Sequence, residues 1–68
     1  MKHVTVREAR HRKGWTQEQL EAESGVSQAV ISNIERGETP DPASSTVMKL
    51  AAALDIDPRA LRFGEAVA

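Results

Sequence analysis

Three glycines, Gly14, Gly25 and Gly37, cut the first half of this chain into short pieces, and helix-start chemistry follows each of the first two. Glycine accepts the left-handed conformation that closes a helix, so each is a natural stop. The first piece, from about Thr5 to Lys13, carries Val6, Ala9 and Lys13 at helical spacing and stops at Gly14. The second opens at Thr16 with Gln19 three residues on, a capping box that satisfies two orphan backbone N–H groups. It runs through Leu20 to Ser24-Gly25. The third opens at the N-cap candidate Ser27, places Val30, Ile31 and Ile34 on one side, and stops at Gly37. Pro40 and Pro42 exclude a helix interior between Glu38 and Ala43. A fourth helix begins near Ser44 or Ser45, with Val47, Leu50, Ala51 and Leu54 as its apolar stripe. Asp57-Pro58 then starts a last short helix through Leu61. No segment alternates as a strand does. The expectation is an all-α fold of five short helices in one domain, 1–63, with a loose tail at 64–68.

Composition narrows the function classes. With 68 residues the chain has room for one small core, so a helical bundle or an oligomer is the expected route to stability. The absence of cysteine removes disulfides, thiolate-bound zinc and thiol catalysis. One Trp, one Phe and no Tyr leave little surface for stacking single-stranded bases. The longest apolar run, Leu50-Ala51-Ala52-Ala53-Leu54, is far short of a membrane span or a signal core, so a soluble, cytoplasmic domain is expected. The net charge of −1 hides an uneven distribution. Up to Thr16 five basic residues face Glu8 alone, whereas the remainder is acidic. The basic stretch fits either a solvated helix or a surface placed against a polyanion.

The stretch from Gln17 to Arg36 carries the functional signal. Two helices meeting across Gly25-Val26-Ser27 must cross steeply, as in a DNA-binding helix-turn-helix. Gly25 allows a positive φ at the corner, and Val26 plugs the angle. Leu20, Ile31 and Ile34 then face inward, leaving Gln28, Ala29, Ser32 and Asn33 on the opposite face of the third helix. That uncharged, hydrogen-bonding face suits base edges in a major groove.

The residues Thr16-Gln17-Glu18-Gln19-Leu20, Gly25-Val26-Ser27 and Ile31-Ser32-Asn33-Ile34-Glu35-Arg36-Gly37 resemble the Cro and phage-repressor (Xre-like) helix-turn-helix family. The resemblance spans about Val6 to Leu61. It implies a five-helix lambda-repressor-like domain whose third helix lies in the major groove, and a dimer reading two half-sites about one helical turn apart. It makes Gln28, Ala29, Ser32 and Asn33 base-reading residues. Gln17, Ser27 and Arg36 become phosphate contacts, with Arg7, Arg12 and Lys13 on the first helix available for the same role. Arg10 and Glu35 match a pair that forms an internal salt bridge in such domains.

This sequence departs from the family pattern at three places. Glu21 stands where the family prefers Ala, so its carboxylate must bend outward or find a cation. Ser24 replaces an apolar side chain. The loop Glu38-Thr39-Pro40-Asp41-Pro42 is acidic where relatives are often basic, so either it points away from DNA or binding needs a dimer. Trp15 is expected in the core. His3 and His11 lack the spacing of a shared metal site, so no metal or other cofactor is expected. No phosphate loop, nucleophile elbow or desolvated carboxylate pair is present, and so small a bundle lacks room for a small-molecule cavity. An enzyme is not expected.

The reading that follows is a sequence-specific regulator of double-stranded DNA, expected to repress as a homodimer on an inverted-repeat operator. Leu61, Phe63 and Val67 supply either the dimer surface or simply the closure of the core. A protein-interaction module, such as an antitoxin or an adaptor built on the same scaffold, is the competing expectation, since the acidic remainder fits a basic protein partner.

Overall fold

The computed structural model describes residues 3–39 and 41–63. Val67 and the expected tail, 64–68, lie outside the described residues. The order of elements is β1 (Val4–Thr5), α1 (Val6–Lys13), α2 (Gln17–Ser24), α3 (Gln28–Glu35), α4 (Ser44–Leu54), a 3-10 turn (Pro58–Ala60) and β2 (Leu61–Arg62). No helix among the described residues is long and apolar enough to cross a membrane.

The first three helices are eight residues each, too short to persist alone in water. Their ends are therefore fixed chemically. Thr5 and Glu8 form a capping box at α1, with the Glu8 N–H donating to Thr5 Oγ1 at 3.1 Å and the Thr5 N–H to Glu8 Oε1 at 3.0 Å. Thr16 and Gln19 do the same for α2, at 3.1 and 2.7 Å. Ser27 Oγ accepts from the Val30 N–H at 3.3 Å and caps α3. Ala43 holds the cap position of α4 and makes no side-chain bond there. Gly14 and Gly25, at φ 72° and 80°, close α1 and α2 as their left-handed caps. At the corner between α2 and α3 Ser24 Oγ accepts the Val26 N–H at 3.1 Å, so the serine that thins the core also satisfies a donor of the turn.

These helices bury one face each. Val6 and Ala9 of α1, Leu20 of α2, Ile31 and Ile34 of α3, and Leu50, Ala51 and Leu54 of α4 meet in one core, with Val26 from the corner. Leu20, Ile31 and Leu50 are entirely shielded from water. Trp15 is half-buried against this cluster.

Two expectations need correction. The fifth helix is a single 3-10 turn: Asp57 Oδ1 accepts the Arg59 N–H at 2.9 Å and Pro58 starts the turn, but Leu61 is already extended. Strand is also present. Val4–Thr5 pairs in parallel with Leu61–Arg62, Val4 opposite Leu61. Two residues a side show no alternation in sequence, because the partner is supplied only by the tertiary fold. This pairing places Leu61 in the core at 5% exposure, so Leu61 closes the domain and is not a dimer surface. Phe63 is half-buried and packs on the same cluster.

Asp55 ends α4 at φ 62°, a left-handed conformation that costs an L-residue energy and glycine nothing. Asp55→Gly is expected to stabilise the domain by about 1 kcal/mol, read as a higher urea midpoint at unchanged slope. A lower midpoint would show that Asp55 contributes more than its backbone strain removes.

Candidate nucleic-acid interface

The corner Gly25-Val26-Ser27 sets α3 across α2, and Val26, 6% exposed, fills the angle between them. Of the four residues assigned to base reading, Gln28 and Ala29 are exposed, whereas Ser32 and Asn33 are half-buried. Ile31 and Ile34 anchor the opposite side of the helix in the core.

One carboxylate fixes where that helix lies. The Glu35 side chain, at the end of α3, is 0% exposed. Arg10 of α1 grips it with two parallel bonds, Nε to Oε2 at 2.7 Å and Nη2 to Oε1 at 2.9 Å. The remaining Arg10 nitrogen, Nη1, donates to the Trp15 carbonyl at 2.8 Å. From α2, Gln17 Nε2 donates to Glu35 Oε1 at 3.1 Å. Arg7 Nε lies 3.6 Å from the same oxygen. Among the described residues no buried side-chain nitrogen or oxygen lacks a partner. Burial alone pushes Glu35 toward protonation, but hydrogen bonds from Arg10 and Gln17 and the charges of Arg10 and Arg7 hold it below the usual glutamate range. The bond to Glu35 in turn raises Arg10, against a smaller opposing effect of burial.

The clasp sets what each of its members can still offer to a partner. Arg10 is buried and structural, not a surface cation. Gln17 spends one amide N–H on Glu35 and keeps the other for an outside acceptor, at the first turn of α2 where helix N–H groups also favour an anion. Arg7, 60% exposed, leans on Glu35 while still reaching solvent. Arg12 is exposed, and Lys13 Nζ lies 5.4 Å from the centre of the Trp15 ring. Ser27 is exposed, with its oxygen committed to the cap and its O–H still a donor.

Arg36 is the residue whose surroundings sequence reasoning missed. Its guanidinium donates to Ser32 Oγ at 2.6 Å, Asn33 Oδ1 at 2.7 Å and Glu38 Oε1 at 3.1 Å. The spacings to Ser32 and Asn33, four and three residues, are the helix-neighbour spacings that signal such contacts. Glu38 arrives through the chain reversal at Gly37. The half of the acidic loop that seemed repulsive to phosphate is thus paired with a cation.

Comparison with known proteins places this arrangement in a defined class, that of helix-turn-helix domains. Residues 6–61 match the helix-turn-helix family. The chain belongs to that family, in its Xre-like branch. It is 40% identical over 52 residues to the HTH-type transcriptional regulator SlrR of Bacillus subtilis (strain 168), covering 76% of this chain and 34% of SlrR. It is 47% identical over 47 residues to the uncharacterized HTH-type transcriptional regulator y4dJ of Sinorhizobium fredii, covering 69% of this chain and 60% of that relative. The chain therefore spans a third to three-fifths of the length of these relatives. Among solved structures it resembles the restriction-modification controller protein C.AhdI from Aeromonas hydrophila, with TM-score 0.72 and 41% identity over 79% of this chain and 80% of that one.

Breaking the clasp from one side leaves a buried, unpaired charge. Arg10→Met is expected to destabilise the domain by about 3 kcal/mol, and Arg10→Met combined with Glu35→Leu to recover most of that loss, both read by urea denaturation. A single variant as stable as the parent would show the pair to be dispensable. The clasp also sets the acid response. Because folding lowers the Glu35 pKa, its stabilisation is complete at neutral pH and is lost as pH falls through that lowered value. Glu35→Gln is expected to flatten the acid side of the stability–pH curve; equal steepness in both proteins would contradict this.

Proposed function

We propose that this chain is a sequence-specific double-stranded DNA-binding transcriptional regulator that acts as a homodimer on an inverted-repeat operator and represses by occluding the promoter. No chemical step is required, and no cofactor or small ligand takes part. The observation that carries the reading is the α3 surface. An uncharged row, Gln28, Ala29, Ser32 and Asn33, runs along a helix whose position is locked by the buried Glu35 clasp. A locked helix matters because base readout requires donors and acceptors held in one register across the groove. Family membership and relatives named as transcriptional regulators support the same reading.

Phosphate contacts would come from the second amide N–H of Gln17, from Ser27, and from the basic side chains of α1. Arg7, Arg12 and Lys13 give the N-terminal part of the chain its positive charge, while the rest of the chain is acidic. Few phosphate contacts per subunit means modest electrostatic affinity, so two subunits are needed for tight binding at physiological salt. The face that joins them is not Leu61, which lies in the core.

Random-site selection with the purified protein tests this directly. The expected motif is an inverted repeat with half-sites about one helical turn apart. On that site Gln28→Ala is expected to cost about 1–3 kcal/mol and to relax preference at one base pair per half-site. A uniform loss on all sequences would remove Gln28 from base reading. Failure of the parent protein to prefer any sequence over random duplex would overturn the regulator reading and favour a protein-interaction module.

A further inference from the structure

At the end of α3 the Arg36 guanidinium gathers two of the base-reading side chains and a carboxylate of the acidic loop. Gly37 stands at φ 77°, with its N–H on the Ile34 carbonyl at 3.0 Å and the Glu38 N–H on the Asn33 carbonyl at 2.8 Å. These two bonds form a Schellman closure, which folds the chain back along the last turn of the helix. Glu38 is thereby placed beside Arg36, on the same end of the helix as Asn33. The Arg36 guanidinium sits among three acceptors: Nη1 serves Ser32 Oγ, and Nη2 divides its two hydrogens between Asn33 Oδ1 and Glu38 Oε1.

The chemistry of these groups fixes their orientation. Guanidinium has donors only, so Asn33 must turn its carbonyl oxygen toward Arg36 and its NH2 away. Ser32 likewise gives up an oxygen lone pair and retains its O–H. With one Oδ1 lone pair engaged and the carbonyl turned toward Arg36, Asn33 presents its NH2 outward and is poorly aligned for the paired contact to adenine, which needs Oδ1 to accept from N6 while Nδ2 donates to N7. It can still donate to an edge made of acceptors, and guanine offers two in the major groove, N7 and O6.

We infer that Arg36, held in place by Glu38, is a specificity-determining residue: it turns the acceptors of Ser32 and Asn33 toward itself and so biases both positions to acceptor-rich base edges, guanine before adenine. This rests on the reading of α3 as the DNA-facing helix. It assigns a purpose to the carboxylate of the acidic loop, which keeps the guanidinium on the recognition face and competes with phosphate for it. Arg36 acts on base choice through Asn33 and Ser32, without itself touching a base.

The test compares selected sites for the 68-residue parent, Asn33→Ala, Arg36→Ala and Glu38→Ala, followed by anisotropy titrations on the parent site and its single-base variants. Asn33→Ala identifies the base pair that Asn33 reads. The parent is expected to prefer guanine there. Arg36→Ala, with Oδ1 released, is expected to shift the adenine-to-guanine ratio at that pair about tenfold toward adenine, the scale of one paired contact. Glu38→Ala should shift it the same way by less. A general fall in affinity in Arg36→Ala reports lost positive charge and is separable, because it changes all sequences alike.

Adenine preferred by the parent at that pair, a ratio unchanged in Arg36→Ala, or no pair dependent on Asn33 would each overturn the inference while leaving the regulator reading standing. Absence of any sequence preference in the parent would overturn both.

Discussion

A single carboxylate with no access to water organises the domain. Glu35 draws Arg10 from α1 and Gln17 from α2 onto the end of α3, and Arg7 approaches the same oxygen from outside. Taking a charge out of water costs several kcal/mol, and only close, well-directed partners offset it. The bonds at 2.7 and 2.9 Å are of that kind. Because the partners come from separate helices, the interaction is worth more than local stability. It joins the helix that faces outward to the two that support it, and it does so beside the residue expected to meet a phosphate. Fold and recognition are coupled through one side chain.

The rest of the architecture follows from short helices that need help at both ends. Capping boxes at Thr5 and Thr16, the Ser27 cap and the glycine corners replace the cooperativity that longer helices supply for themselves. Packing then does what length cannot: Leu20, Ile31 and Leu50 form a dry centre to which each of α2, α3 and α4 contributes one residue. The parallel pairing of Val4–Thr5 with Leu61–Arg62 ties the start of the domain to its end. His3 extends that tie, with Arg62 Nη2 2.9 Å from its Nε2.

Much of this was legible because caps and corners are local. Thr16 with Gln19, Ser27, and Gly25 each state a helix boundary within four residues, and the structure places the boundaries there. The strand pair was illegible for the opposite reason, since Val4 and Leu61 become partners only after the helices between them have folded. The last segment reads as a helix start, but Pro58-Arg59-Ala60 is all that fits before the chain must extend into β2. Leu61 looked equally suited to a dimer surface and to the core, and its pairing with Val4 decides for the core. At the candidate site, exposure of Gln28 and Ala29 was readable from helix periodicity. The condition of Ser32 and Asn33 was not, because it depends on a guanidinium one turn away and on a carboxylate brought back by the Gly37 reversal.

Charge shows the same division between what composition states and what geometry settles. A net value of −1 is uninformative until the basic residues of α1 are separated from the acidic remainder, and until Glu38 is seen paired with Arg36. The assignment of α3 as the DNA-facing helix is tested most directly by a backbone amide NMR titration of the protein with its selected duplex. The account predicts shift changes concentrated at Gln17, Ser27, Gln28, Ala29, Ser32 and Asn33 and on the basic side of α1, with the amides of α4 unmoved. Changes confined to α4 and the acidic loop, or none at saturating duplex, would contradict it.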